Sequence, residues 1–256
     1  MSGPRILITN DDGVDAPGLA VMREIAAELS DDVWVVAPDG NQSGASHRFT
    51  FGRELGLDRR DERVFAVVGG SPADCVVAGM THVCADLAPE VVLSGVNNGQ
   101  NLGDILNCSG TVAGAREGAL HGALGIGISQ AVDYEQGGEL DWTNSRRFGA
   151  AVVRGLLREA RGRDAYFNVN LPFCPPEAVE GIRVVPFQRF SRSPMAYYAS
   201  DNPGKFFIAI PQTPGPVLAD HDFGSVVHGN WIAVTPLMLQ HTDYVTVDEL
   251  DGRLKL

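Results

Sequence analysis

A chain of 256 residues, 44% hydrophobic and 20% charged, is long enough to bury one large core and excludes a disordered or fibrous class. Its formal charge of −12 excludes a duplex DNA or RNA partner, which needs a clustered Lys/Arg surface. Small anions stay open to it, because nearby amides and a metal ion outweigh distant, screened charge. Lys205 and Lys255 are its only lysines, so no GxxxxGK[ST] phosphate loop is present and ATP hydrolysis by that route is excluded.

In chain order, Arg5 to Thr9 and Val33 to Ala37 read as buried strands. Between them, Pro17 to Leu29 places Leu19, Met22, Ile25, Ala26 and Leu29 on one helical face. Phe65 to Val68 is a third strand. Ser71, Pro72 and Asp74 supply an N-cap, a first-turn proline and an acid that start a helix through about Val83. Val91 to Leu93 is a fourth strand and Leu124 to Ile128 a fifth, with a glycine-dense stretch between them that becomes a helix near Ser109. In that helix Gly110, Gly114, Gly118 and Gly122 recur every four residues, and the last three predict close packing on a neighbouring backbone. A long helix, about Thr143 to Ala160, and a strand, Tyr166 to Asn170, complete the main sheet.

Beyond Pro172, Met195 to Ala199 and Phe206 to Ile210 flank a turn and predict a projecting hairpin. Such a hairpin favours contact between subunits. Trp231 to Thr235 is a last strand. The alternation predicts a Rossmann-like α/β fold: a mostly parallel sheet with helices on both faces, in three layers. One domain is expected over residues 1–256, with a core to about 175 and a hairpin-containing extension over about 176–256. Cys75, Cys84, Cys108 and Cys174 form no C-x-x-C pair and read as reduced thiols. With no charged-then-apolar leader and no run of about 18 apolar residues, the expected compartment is the cytoplasm and no membrane partner is expected.

Three strand ends carry the chemistry. In an open α/β sheet, ligands bind beyond the carboxyl ends of the strands. The first strand runs into Asn10-Asp11-Asp12-Gly13, where the two carboxylates converge only if the chain turns, as Gly13 permits. The second runs into a polar loop from Asp39 through Ser43 to Ser46, and the fourth into Ser94 to Gly99, which includes Asn97. Oxygen donors of this kind suit Mg²⁺, Mn²⁺ or Ca²⁺ rather than zinc. Each loop alone is also explained by hydrogen bonds to turn backbone. Asn101 to Asp104 and Ser109-Gly110-Thr111 lie beside a helix N-terminus, whose unpaired amides and dipole favour an anion. N-capping is the simpler role for Ser109 and Thr111.

The strings ILITNDDGVDAPG (Ile6 to Gly18), VVAPDGNQSGAS (Val35 to Ser46), GSPADCV (Gly70 to Val76), LSGVNNGQNLGD (Leu93 to Asp104) and SGTVAGAREG (Ser109 to Gly118) together resemble the survival protein E family, nucleotidases acting on nucleoside 5′- and 3′-monophosphates. The match runs to about Ser129, with weaker echoes to Leu237. The resemblance implies one divalent cation per subunit, Mg²⁺ or Mn²⁺, with Ca²⁺ as a stand-in in crystals. Asp11 and Asp12 fall on the family's paired metal-binding aspartates, Ser43 on its serine ligand and Asn97 on its asparagine ligand. It also implies dimers or tetramers through C-terminal hairpins and, in some members, activity on polyphosphate. Cys108 stands where tyrosine is common, and Gln240 where an aspartate is usual.

The expected reaction is hydrolysis of a nucleoside monophosphate by a metal-activated water, with Asp11 or Asp12 accepting the proton. Asn10, Asn101, Ser109, Gly110 and Thr111 are expected to bind the phosphoryl group. A metal-dependent nucleoside hydrolase and a non-catalytic nucleotide-binding protein are the alternatives. A covalent aspartyl-phosphate route fails because Asn10 occupies the nucleophile position. A serine-hydrolase elbow at Gly69 to Ala73 does not complete G-x-S-x-G. Among the histidines, His47 beside the Ser43 loop invites a rim or hydrogen-bonding role.

Overall fold

The computed structural model describes residues 3–133, 140–191, 193, 195–209, 215–251 and 253. Its strands are β1 (Ile6–Thr9), β2 (Val33–Pro38), β3 (Gly56–Asp61), β4 (Val64–Val68), β5 (Val91–Asn98), β6 (Leu124–Gln130), β7 (Ala165–Leu171), β8 (Gly181–Val184), β9 (Ala196–Ala199), β10 (Phe206–Ala209) and β11 (Trp231–Met238). Its helices are α1 (Pro17–Ala27), α2 (Pro72–Ala78), α3 (Gly110–Leu120), α4 (Thr143–Glu159), α5 (Asp222–Val227) and α6 (Tyr244–Leu250). Nine strands form one sheet in the order β3-β4-β2-β1-β5-β6-β7-β11-β8. From β4 to β7 every pairing is parallel, while β3 and β11 join antiparallel. The fold is therefore the Rossmann-like α/β arrangement expected.

Period-two alternation within β1 decides which helix covers which face. Ile6 and Ile8 pack with Leu19, Met22 and Ile25 of α1 and Val153 of α4. Leu7, pointing the other way, packs with Cys75, Val76 and Met80 beneath α2. The third helix joins α2 on that second face and lies along β5 and β6. Successive strands run outward from β1 through β2 to β4, then return to its other side as β5, β6 and β7. Strand order thus reverses between β1 and β5, which opens a crevice at their carboxyl ends.

Several details depart from the sequence reading. Two strands were not anticipated, β3 and β8. All six residues of β3, GLDRRD, are exposed, so it lacks the apolar alternation that marks a strand. Nor does β7 end the sheet, since β11 and then β8 add beyond it. The capping box at Ser71 and Asp74 forms as read, but α2 gives way after Ala78 to a π turn over Gly79–Val83. Gly114 and Gly118 do pack closely, with room for no Cβ beside Ser94 and Val92. Gly122 instead lies past the helix end at φ +86° with open space around it, and serves the turn. The hairpin forms as its own two-stranded sheet from β9 and β10; Ile210, assigned to its second strand, lies outside the described residues.

Candidate active site

The chain turns at the end of β1 because Asn10 makes it turn. Fully buried, the Asn10 amide donates to the Gly13 carbonyl at 2.9 Å and its Oδ1 accepts the Gly13 amide at 3.2 Å. Gly13 takes φ +110°, and a Cβ there would stand 3.2 Å from the Gly40 backbone. That turn hands the two aspartates to different partners. Asp11, 4% exposed, accepts the Thr111 hydroxyl on Oδ1 at 2.6 Å. Asp12, half-buried, accepts the Asn98 amide at 3.3 Å from the end of β5.

Burial pushes the Asp11 carboxyl up, against hydrogen bonds from the Thr111 hydroxyl and from backbone amides of Asp11, Thr111 and Gly110. Asp12 is also pushed up, first by burial and then by the charge of Asp11, with the Asn98 amide opposing. Neither carboxylate forms an ion pair among the described residues. Two desolvated like charges without a protein cation form a setting that a dication would relieve. No cluster of three or more His, Cys, Asp or Glu side chains suited to a metal occurs among the described residues.

Neutral oxygens are at hand. The Asn97 amide donates to the Gly99 carbonyl at 2.7 Å, while its Oδ1 makes no hydrogen bond among the described residues. Ser43 is exposed, with its backbone amide donating to Asn41 Oδ1 at 2.9 Å and its hydroxyl likewise free of partners among them. The Gln42 amide donates to the Asp11 carbonyl at 2.7 Å, which seats the Ser43 loop against the β1 turn. A cavity of about 390 Å³ opens beside Asp12, with Gly13, Asp15, Asp39, Asn98 and Trp142 also in its wall.

The residues expected to hold a phosphoryl group divide in two. Ser109 Oγ accepts the Val112 amide at 3.1 Å as the N-cap of α3 and keeps its own hydrogen to donate. Gly110 presses on Asp11: a Cβ there would stand 2.7 Å from Asp11 Cβ and 2.9 Å from its Oδ2. Together with the Thr111 hydroxyl, the α3 N-terminus is thus built onto the aspartate. Asn10 and Asn101 instead spend their polar groups on the protein itself. The Asn101 amide donates to Asn170 Oδ1 at 2.8 Å, its side chain donates to Ser129 at 3.0 Å, and its carbonyl accepts from Asn168 and Asn170.

Sequence reading did not find this Asn168–Asn170 network, nor Asp222. The Asp222 carboxylate is fully buried and accepts the amides of Gly103 at 2.8 Å and Gln188 at 2.7 Å, tying the loop after β5 to the C-terminal segment. Burial pushes its carboxyl up. The only sequence signal was an acid at the start of a short helical run. Gln240, where an aspartate is usual, accepts the Thr242 amide at 2.7 Å and steadies the turn into α6.

A family model described as survival protein SurE matches residues 6–193, which contain every residue of this crevice. The chain belongs to the SurE family. It is 43% identical over 246 residues to a 5′-nucleotidase SurE of Methylobacterium nodulans, covering 95% of this chain and 96% of that one. To a 5′-nucleotidase SurE of Brucella canis it is 40% identical over 255 residues, covering 98% of each. A crystal structure of the SurE protein from Aquifex aeolicus superposes with a TM-score of 0.84 at 32% identity, over 96% of this chain and 98% of that one. The SurE likeness therefore spans both the crevice and the C-terminal additions to the sheet.

Proposed function

We propose that the protein is a nucleotidase, a phosphomonoesterase that hydrolyses nucleoside 5′- and 3′-monophosphates to nucleoside and phosphate, with polyphosphate as a further substrate. The observation that carries this reading is the pair of buried Asp11 and half-buried Asp12, unrelieved by any protein cation among the described residues, at the switch between β1 and β5. Relatives that cover nearly the whole chain are named 5′-nucleotidases. Asp11, Asp12, Ser43 and Asn97 would hold one divalent cation, Mg²⁺ or Mn²⁺, through oxygen donors only. When bound, such an ion polarises a phosphoryl oxygen and makes water a better nucleophile near neutral pH.

The protein's own groups do the rest. Thr111 fixes the orientation of Asp11 through Oδ1. Asp12, half-buried at the cavity wall, takes the proton of the attacking water. The Ser109 hydroxyl and the positive end of the α3 dipole meet the charge on the equatorial phosphoryl oxygens, while the Gly110 and Thr111 amides hold Asp11. Asn10 serves by holding the turn and Asn101 by holding the loop that follows β5. The whole chain works as one domain, since β8 and β11 of the extension belong to the same sheet as β1. Its four cysteines are unpaired, in keeping with a cytoplasmic compartment. The apolar hairpin supports a homodimer or homotetramer.

Incubation with AMP and Mn²⁺, with free phosphate and free adenine measured separately, tests the reaction. Phosphate without adenine is expected, falling to near background in Asp11→Asn and Asp12→Asn. Adenine release would turn the reading to a nucleoside hydrolase, and bound nucleotide without either product to a sensor.

A further inference from the structure

The Ser43 hydroxyl has no hydrogen-bond partner among the described residues, so its place depends on what anchors the loop around it. On the near side, the Gln42 amide holds the Asp11 carbonyl. On the far side, the Ser46 hydroxyl donates to the Asn107 carbonyl at 2.6 Å and its amide to the Cys108 carbonyl at 3.1 Å. Then His47 Nε2 meets Glu117 Oε2 at 2.8 Å, joining the loop to the second half of α3 across 70 residues of sequence.

Glu117 is buried, 6% exposed, and its other oxygen meets His121 Nε2 at 3.1 Å. Arg116 Nη1 lies 3.1 Å from His47 Nδ1. An arginine N–H can only donate, so Nδ1 of His47 is the acceptor and Nε2 carries the hydrogen given to Glu117. The tautomer and the ring orientation are thereby fixed from both sides. His121 is the C-cap residue of α3, so that contact ties Glu117 only to the end of its own helix. Only the His47 arm reaches the Ser43 loop.

We propose that Glu117 is a positioning residue that holds the Ser43 loop against α3 through His47, and so sets the metal-binding geometry without touching metal or substrate. Its bearing on the metal rests on the reading of Ser43 as a ligand; its bearing on the loop does not. Groups behind the ligands of a metal site typically tune affinity by about 10- to 100-fold.

The experiment uses the full-length protein and two readouts: Mn²⁺ affinity by titration calorimetry, and hydrogen exchange over residues 41–50 in metal-free protein. Glu117→Ala and His47→Ala should each weaken Mn²⁺ binding by about tenfold and speed exchange across the loop. The double variant should be no worse than either single one, because both remove the same link. Glu117→Gln keeps one acceptor for His47 and should restore most of the affinity. His121→Ala should match the wild type in both readouts. His47 lies on a partly exposed loop, so its variant folds even if loss of the buried Glu117 proves disruptive. Wild-type exchange and affinity in His47→Ala, or equal effects from His121→Ala, would overturn the proposal. Faster loop exchange in a protein that binds no Mn²⁺ would uphold the clamp and remove the metal reading instead.

Discussion

The Thr111 hydroxyl donates to Asp11 Oδ1 at 2.6 Å, joining the first turn of α3 to the end of β1 across 100 residues of chain. The bond is buried at both ends and gives the carboxylate one fixed orientation. Thr111→Val keeps the shape but leaves Oδ1 without its donor. A lost hydrogen bond to a charged group costs about 1.5–3 kcal/mol, so kcat/KM for AMP should fall by about 10- to 100-fold. Thr111→Ser should recover most of it. Equal activity in the valine and serine variants would show that the hydroxyl plays no part.

Gly110 tests the same contact sterically. Since a Cβ there would stand 2.7 Å from Asp11 Cβ and 3.0 Å from Pro72 Cγ, Gly110→Ala must shift either the aspartate or the helix. Displacement of a reacting group by about 1 Å can cost on the order of 100-fold in rate. Circular dichroism should show an intact fold while phosphate release falls by that order. Full turnover in a folded Gly110→Ala protein would mean that the α3 N-terminus and Asp11 need not touch.

At the opposite end of the sheet, Asp32 accepts Arg5 Nε at 2.7 Å, Trp34 Nε1 at 2.8 Å and Arg63 Nη1 at 3.3 Å. Burial acts to raise its carboxyl, but the hydrogen bonds from Arg5 and Trp34 and the charges of Arg5 and Arg63 bring it below its ordinary value. A carboxylate depressed in the folded state stabilises the protein above its unfolded pKa, about 3.9, and that contribution is lost as pH falls through the lower folded value. Discounted for its partial exposure, the network contributes about 1 kcal/mol. Asp32→Asn should therefore melt about 2–4 °C lower at pH 7, with the gap closing as the pH is taken below the ordinary carboxylate range. A gap that is the same at both pH values would contradict the ionic origin.

The hairpin leaves both of its faces apolar and bare. Tyr198 pairs with Phe207 and Tyr197 with Ile208, and Tyr197, Phe207 and Ile208 are 67%, 61% and 64% exposed. Side chains of this kind, grouped on a two-stranded ribbon, need a cover. A double change, Tyr198→Asp with Phe207→Asp, should shift the protein toward monomer in sedimentation velocity. A wild-type protein that already sediments as a monomer would refute the proposed homo-oligomer.

The sequence by itself determined the parallel core, because fully buried strands and amphipathic helices leave local periodicities that need no partner to be seen. It also determined the oxygen-rich strand ends and the Gly13 turn, since those depend on neighbours in the chain. It misread what local pattern does not encode. The exposed residues of β3 form a strand only because β4 offers an edge to pair with. Similarly, β8 is placed by its parallel register with β11, a strand that follows it by some 50 residues of chain.

Only the tertiary structure decided what each polar residue spends its hydrogen bonds on. Asn10 turns to Gly13, Thr111 to Asp11, Asn101 to Asn168 and Asn170, and His47 to Glu117. The physical reason is that a hydrogen bond depends on proximity and burial in space, and residues far apart in sequence acquire both only when the sheet closes and its helices dock.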